Sequence, residues 1–317
     1  MKKPALFLAL CIAGMGVAVA QNPPPESVTV TGTKSREVMR GFVDSTAAPT
    51  HLLGKIARWE TPICPYAVGV KRAAADFVGA RVKEVAEKAG TPVSTDAKCT
   101  FNIEIIFTKT PQALLEDMKK NQPGLLGFYG GSEERDRLAT FKRPIQAWYS
   151  TATQDLRGKT EVDSARTTSI GQGLLVMAPC GIIKGNGGRG PNAMCWRYMP
   201  GVQKANVTGT RLGSGLRSTL HHVVIVADPR QIAGEELDAV SDYIAMLALT
   251  QLGSLDNCQT LPSIVNLLPK GCASRAGRLT DTDMGYLRGL YRMRSGMELV
   301  VQKNEIASEM AKGIEGP

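Results

Sequence analysis

The sequence predicts an α+β fold, in which helices pack on a mixed sheet. Apolar residues alternate along residues 101–108 and form a compact run over residues 221–227, as in β-strands. Residues 71–88 instead repeat apolar positions every three or four residues, as in an amphipathic helix. Because these strands and helices do not alternate strictly along the chain, α+β is favoured over a regular βα repeat.

Elements of the first half follow from local signals. Residues 56–70 indicate a strand interrupted near Cys64, and the helix over residues 71–88 is closed by Gly90. The strand at residues 101–108 places Ile103, Ile105 and Phe107 on one face. A Thr-Pro pair then begins a helix over residues 111–120.

The second half predicts strands at residues 145–151, 173–177 and 221–227 and helices at residues 235–252 and 281–293. Thr280 and Asp283 have the spacing of a capping box for the last of these helices. The helix at residues 235–252 is apolar on every side over residues 244–249, which predicts complete burial. Residues 181–215 are expected to form a loop, and its GNGGRGPN stretch lacks the Lys-Ser/Thr ending of a phosphate-binding loop.

The N-terminus predicts export. Residues 1–20 combine two lysines, an apolar run and small residues before Gln21, which indicates a signal peptide cleaved after Ala20. We expect residues 21–41 to be an extended tether, residues 42–301 a single domain and residues 302–317 a polar C-terminal helix. No later segment is apolar enough to predict a membrane span. The protein is therefore expected in the periplasm or outside the cell.

Cysteine content supports the same compartment. Removal of the signal peptide leaves six cysteines, an even number typical of disulfides in an exported chain. Proximity along the chain predicts three pairs, which are Cys64 with Cys99, Cys180 with Cys195, and Cys258 with Cys272. A zinc cluster is the alternative, but no Cys-x-x-Cys pair is present.

Charge gives only a weak indication of partners. The formal charge of +9 falls by two when Lys2 and Lys3 are removed with the signal peptide. This moderate excess favours an anionic envelope component or another envelope protein as partner. No dense basic run interleaves with aromatic residues, so no nucleic acid is expected.

Catalytic motifs are missing from the sequence. The three histidines, His51, His221 and His222, do not form an HExxH motif, and adjacent residues on a regular strand face opposite sides. No Gly-x-Ser-x-Gly motif occurs, and six paired cysteines leave no thiolate nucleophile. We therefore expect no cofactor and no metal. A site built on carboxylates such as Glu104, Glu133 or Asp256 remains the enzymatic alternative.

One region nevertheless resembles a known superfamily. The order HHVVIVAD, long helix, TQLG turn and LTDTDMGYLRGLY is similar to the metal-binding half of zincin-type peptidases. More specifically, residues 42–301 resemble an uncharacterised family of exported proteobacterial proteins related to zincins. The resemblance places Leu247, Ala248 and Gln251 where zincins carry His, Glu and His. Leucine and alanine cannot supply a metal ligand or a general base, so the resemblance implies a zincin-like fold without its metal.

These observations favour a non-catalytic exported protein that acts by binding or as a structural component. Two alternatives stay open. One is a hydrolase with an unrecognised carboxylate site, and the other is an accessory of an outer-membrane uptake system. The second depends only on the string VTVTGTK at residues 28–34, which resembles the start of the plug region of TonB-dependent receptors.

Overall fold

A computed structural model describes residues 32–127, 131–163, 167–170, 173–179, 194–199, 215–253 and 255–312. The fold is α+β with a mixed sheet, as predicted. The helices are α1 (Gly32–Thr46), α2 (Arg72–Ala89), α3 (Pro111–Asn121), α4 (Ser132–Leu138), α5 (Leu237–Leu249), α6 (Asp281–Arg292) and α7 (Leu299–Lys312). Short 3-10 helices cover Pro123–Leu126 and Ile264–Leu267.

Five strands form the main sheet. They are β1 (Pro65–Val68), β2 (Ile103–Phe107), β3 (Ile145–Gln154), β4 (Thr160–Val162) and β8 (Arg217–Ala227), in the order β1-β2-β8-β3-β4. β1, β2 and β8 are parallel, whereas β3 runs antiparallel to β8 and β4 antiparallel to β3. A second, antiparallel sheet contains β5 (Thr167–Ile170), β6 (Gly173–Pro179) and β7 (Met194–Met199).

The main sheet separates two hydrophobic cores of unequal size. Alternate residues of β8 show the division, since Val223 and Ile225 belong to the larger core and Val224 and Val226 to the smaller. The larger core lies between the sheet and helices α1, α2, α5, α6 and α7. The smaller core is formed by α3, the 3-10 helix Pro123–Leu126 and the Trp148 side chain of β3.

Helix α5 occupies the centre of the larger core. Every residue from 239 to 249 is buried, which confirms the predicted burial on all sides. Even Asp242 is fully buried, where its carboxylate accepts hydrogen bonds from Arg81 Nε at 2.5 Å and from the Leu279 amide at 2.9 Å. These hydrogen bonds tie α5 to α2 on one side and to the segment that precedes α6 on the other.

The predicted helix ends are confirmed where capping signals were strong. Gly90 adopts a left-handed conformation, with φ of 85°, and its amide donates to carbonyls in the last turn of α2. Thr280 and Asp283 form the capping box, in which Thr280 Oγ1 accepts from the Asp283 amide at 3.2 Å and the Asp283 carboxylate accepts from the Thr280 amide at 2.9 Å.

Helices α1 and α7 each cross a bound predicted for the domain, at residue 42 and at residue 301. Residues 32–41, expected in the extended tether, belong to α1, where Met39, Phe42 and Val43 are buried at helical spacing. The C-terminal helix begins at Leu299 rather than at residue 302, and its Ile306, Ala307 and Met310 are buried against neighbouring helices. In both helices the buried apolar residues are few and are surrounded by polar ones, so the sequence pattern did not predict that one face is buried.

Two other element predictions need correction. Of the strand expected at residues 56–70, only Pro65–Val68 joins the sheet as a strand, while Arg58 and Ile63 form isolated bridges. The loop expected at residues 181–215 contains β7, whose residues Met194–Met199 pair with β6. The glycine-rich stretch at residues 185–192 lies outside the described residues.

Two of the three predicted disulfides are confirmed. Cys64 bonds Cys99 with Cα atoms 6.1 Å apart, and Cys258 bonds Cys272 with Cα atoms 5.3 Å apart. Cys180 and the side chain of Cys195 lie outside the described part of the structure, so their pairing stays a prediction. Two disulfides are consistent with an exported protein. Within the described ranges, no helix is long and apolar enough to cross a membrane.

Candidate binding cleft

A cleft of about 240 Å³ lies where β3 meets the C-terminal end of α5. We call it the β3 cleft. One wall is the outer edge of β3 from Gln146 to Tyr149, and the floor contains Leu247 and Gln251. The opposite wall comes from the chain after α1, including Thr50 and His51.

The backbone of β3 presents hydrogen-bonding groups to this cleft. The Asp228 amide donates to the Pro144 carbonyl at 2.9 Å, which fixes the phase of the antiparallel ladder between β8 and β3. In that phase Gln146 and Trp148 direct their N–H and C=O groups toward β8. The same groups of Ile145, Ala147 and Tyr149 therefore point away from β8, along the outer edge.

Most of this edge has no neighbouring strand. β4 pairs only with the last three residues of β3, from Ala152 to Gln154. Among the described residues, no strand pairs with residues 145–151 on the outer side. Gly127 closes the edge at Tyr149, since its backbone has φ of 90° and an added Cβ would lie 2.4 Å from the Tyr149 carbonyl oxygen. Backbone groups from residue 145 to residue 147 thus remain available to a ligand.

The floor of the cleft is rigid because three aromatic side chains hold the last turn of α5. Tyr149 Oη donates to the Leu247 carbonyl at 3.0 Å, and Trp59 Nε1 donates to the Ala248 carbonyl at 2.8 Å. Tyr291 Oη donates to the Leu249 carbonyl at 2.8 Å. The last carbonyls of a helix have no intrahelical partner, so these donors satisfy groups that burial would otherwise leave unpaired. Burial raises the pKa of Tyr149 far above its ordinary value, which keeps its hydroxyl protonated.

Gln251 supplies an unused hydrogen-bond acceptor. Its backbone carbonyl accepts from the Ala48 amide at 3.2 Å, which fixes the residue at the end of the floor. Its side-chain Oε1 is buried and has no hydrogen-bond partner among the described residues. Because Oε1 is shielded from solvent, the Gln251 side chain must rotate before a ligand can donate a hydrogen bond to it, and satisfying this acceptor would recover about 1 to 3 kcal/mol.

A salt bridge stands at one end of the cleft. Arg143, which precedes β3, donates through Nε and Nη2 to both oxygens of Asp256 at 2.9 Å and 2.7 Å. The hydrogen bonds from Arg143 hold the pKa of Asp256 below its ordinary value. This bidentate pair joins the start of β3 to the loop that follows α5 at that end of the cleft.

The positions where the sequence resembles zincins are divided by this geometry. Leu247 and Gln251, one helical turn apart, both border the cleft, although Leu247, like Ala248, is buried in the larger core. Neither cleft residue is a zinc ligand. Across the described ranges, no group of three or more His, Cys, Asp or Glu residues is arranged to hold a metal ion.

His221 and His222 lie outside the cleft, on β8. Ser150 pairs with His222 and Thr151 with Leu220, so His221 is an extra residue in a β-bulge. The alternation expected for two adjacent strand residues therefore does not hold at His221. His221 is exposed, but partial desolvation of its ring, followed by the charge of His222, lowers its pKa, while the Asp163 charge opposes this shift.

The three carboxylates considered for catalysis are on separate elements. Glu104 of β2 lies 3.3 Å from His222 Nε2, and this contact lowers the pKa of Glu104. Glu133 is exposed in the first turn of α4, and Asp256 is held by Arg143. The geometry therefore gives no support to a paired-carboxylate mechanism.

The outer edge of β3 was not recognised as a functional feature from the sequence. Residues 145–151 were correctly predicted as a strand, but a strand's place in a sheet depends on distant segments. The available local signal was Pro144 directly before the strand, since proline is tolerated at strand starts and sheet edges. Comparisons with known protein families, curated proteins and solved structures find no match for this chain.

Proposed function

We propose that this chain is an exported protein that binds a polypeptide segment in extended conformation along β3, without cleaving it. The observation that carries the proposal is the unpaired edge at residues 145–147 beside a cleft with an unsatisfied acceptor. An extended peptide can add to such an edge as a new strand, because its main chain supplies the matching donors and acceptors.

The size of the cleft favours side chains over a whole small molecule. Sites for drug-sized ligands occupy about 300 to 1,000 Å³, and this cleft is smaller, at about 240 Å³. An added strand needs less enclosed volume, because its backbone lies along β3 and only alternate side chains enter the cleft. Leu247 and Leu252 give an apolar surface for one such side chain, and Gln251 Oε1 can accept a hydrogen bond from the ligand.

Binding without cleavage is proposed from the chemistry of the floor. Leu247 and Gln251 face the place where a peptide would lie, but neither can bind zinc. If the resemblance to zincins reflects common ancestry, the cleft is a substrate site that has lost its metal. The two disulfides and the predicted signal peptide favour the periplasm or the extracellular space as the place of action.

Selection from a random peptide library on the immobilised mature protein, followed by titration of the selected peptides, tests this proposal. Trp148 lines the cleft, so its fluorescence is expected to change on binding. The decisive variants are Ala147→Pro, which removes the outward N–H, and Ala147→Gly, which retains it.

We expect Ala147→Pro to lower the affinity for a selected peptide at least tenfold and Ala147→Gly to lower it less than threefold. Mass spectrometry should recover the peptide intact after prolonged incubation. Equal affinity for both variants would show that the β3 edge is not the binding surface. Cleavage of the peptide would contradict the non-catalytic assignment while leaving the location of the site intact.

A further inference from the structure

We infer that the β3 cleft of one molecule takes up residues 28–31 of a second copy of the same chain. This inference rests on the proposed function, since it assigns a particular extended segment to that cleft. The segment reads Val-Thr-Val-Thr, in which β-branched residues alternate between apolar and polar. It lies directly before α1 and is not among the described residues.

The length of this segment matches the available edge. Backbone groups are open from residue 145 to residue 147, between the Arg143–Asp256 salt bridge and Gly127. Four residues are enough to pair with so short a stretch. An added strand would lie in line with β4, which already occupies the same edge farther along β3.

The side chains of the segment suit the two sides of the cleft. In a strand, Val28 and Val30 face one way and Thr29 and Thr31 the other. Apolar Leu247 and Leu252 border the floor, where the valines fit. The segment carries no charge, so it can lie beside the Arg143–Asp256 pair without placing a new charge next to it.

The molecule's own segment cannot reach its own cleft while α1 is intact. The C-terminal end of α1 borders the cleft, because the Gly253 amide donates to the Thr46 carbonyl at 2.8 Å and Gly253 lines the cleft. Residue 32 begins the same helix, and 15 helical residues extend for about 22 Å.

Thr31 is bonded directly to residue 32 and so stays about one helix length from the cleft. Four extended residues span at most about 14 Å, which is less than that distance. A second molecule has no such restriction. Reciprocal exchange between two copies would give a closed dimer with two-fold symmetry, each cleft being filled by the other chain.

Two variants separate the donor segment from the acceptor cleft. Val30→Asp places a charge in the donor while leaving the described domain unchanged, and Ala147→Pro blocks the acceptor edge. Thr29→Asp is the matched control, because its side chain points away from the apolar floor. Thermal unfolding of each variant should confirm that the domain is folded.

Sedimentation velocity from about 1 to 100 µM measures the result, since dimer content depends on protomer concentration. We expect the wild type and Thr29→Asp to dimerise, and Val30→Asp and Ala147→Pro to be monomeric. An equimolar mixture of the two defective variants should regain dimers, because one intact donor then meets one intact cleft. Mixed dimers should dissociate more readily than wild type, having one exchange instead of two.

A monomeric wild type, a dimeric Val30→Asp or a mixture that stays monomeric would each overturn the inference. The library peptides keep this outcome separate from that of the proposed function. If they bind Val30→Asp through the β3 edge while the wild type is monomeric, the cleft binds peptides but not its own chain. If neither peptides nor residues 28–31 bind, both proposals are wrong.

Discussion

β8 and β3 are neighbouring strands of similar length, but the sheet uses them differently. β8 pairs along both edges, with β2 on one side and β3 on the other, and Val223–Val226 supply both cores. β3 has a neighbouring strand on one edge only between residues 145 and 150, as far as the described residues extend, and the Asp163 amide donates to the Thr151 carbonyl on the outer edge. The comparison indicates that β8, which is paired on both edges, maintains the fold. β3, which is paired on one edge over most of its length, can bind another extended segment.

Proline substitution gives the largest expected difference between the two strands. The Val223 amide donates to the Asn102 carbonyl at 2.9 Å, so Val223→Pro removes a buried hydrogen bond and leaves that carbonyl unpaired. We expect a loss of roughly 3 kcal/mol in the free energy of unfolding. Ala147→Pro, whose N–H points outward, should cost less than about 1 kcal/mol.

Urea denaturation of the two proline variants and the wild type measures these free energies. Similar losses for both variants would mean that the outer edge of β3 is as fully used as β8. The distinction on which the binding proposal depends would then disappear.

A smaller effect is expected at the floor of the cleft. Gln251→Leu removes the buried, unsatisfied Oε1 and should raise the free energy of unfolding by about 1 kcal/mol. The same change should lower the affinity for a selected peptide, because the acceptor for its hydrogen bond is removed. Chemical denaturation and peptide titration of the same preparation test both effects. Destabilisation would show that Gln251 has a structural role in the fold.

The smallest expected effect concerns pH and the bulge on β8. The pKa of His221 is lowered in the folded protein by partial desolvation and by the charge of His222, although the residue stays exposed, so the folded state binds a proton there slightly less readily than the unfolded chain. This group therefore makes the protein less stable as pH falls through its ordinary value of about 6.5. We expect thermal unfolding between pH 7.5 and 5.5 to show a decline that His221→Gln reduces. If stability declines equally in His221→Gln, another titratable group causes the pH dependence.

Local signals predicted much of the fold. The capping box at Thr280, the glycine end of α2 and the burial of α5 each follow from residues close together in the sequence. The extent of α1 was not predicted because tertiary contacts determine it. Phe42, for example, packs edge-to-face on Tyr286 with ring centroids 6.0 Å apart. A sequence pattern in α1 cannot reveal a partner more than 200 residues away.

The sequence did not predict the candidate site as a binding cleft. Leu247 and Gln251 were singled out by resemblance, and both line the cleft. Which strand edge lies above them depends on sheet order, which brings β3 from the middle of the chain against β8 and α5. The bulge at His221 likewise arises from pairing with β3 and leaves no mark in the local pattern.

The aromatic donors at the end of α5 also affect the electrostatic potential at the floor of the β3 cleft. Aligned peptide dipoles give the C-terminus of a helix a partial negative charge of about half an elementary unit. Tyr149, Trp59 and Tyr291 satisfy the terminal carbonyls but carry no positive charge, and the last turn of α5 contains no basic residue. The three donors offset part of this negative charge without reversing its sign, so the floor keeps a weak preference for amide hydrogens over carboxylates.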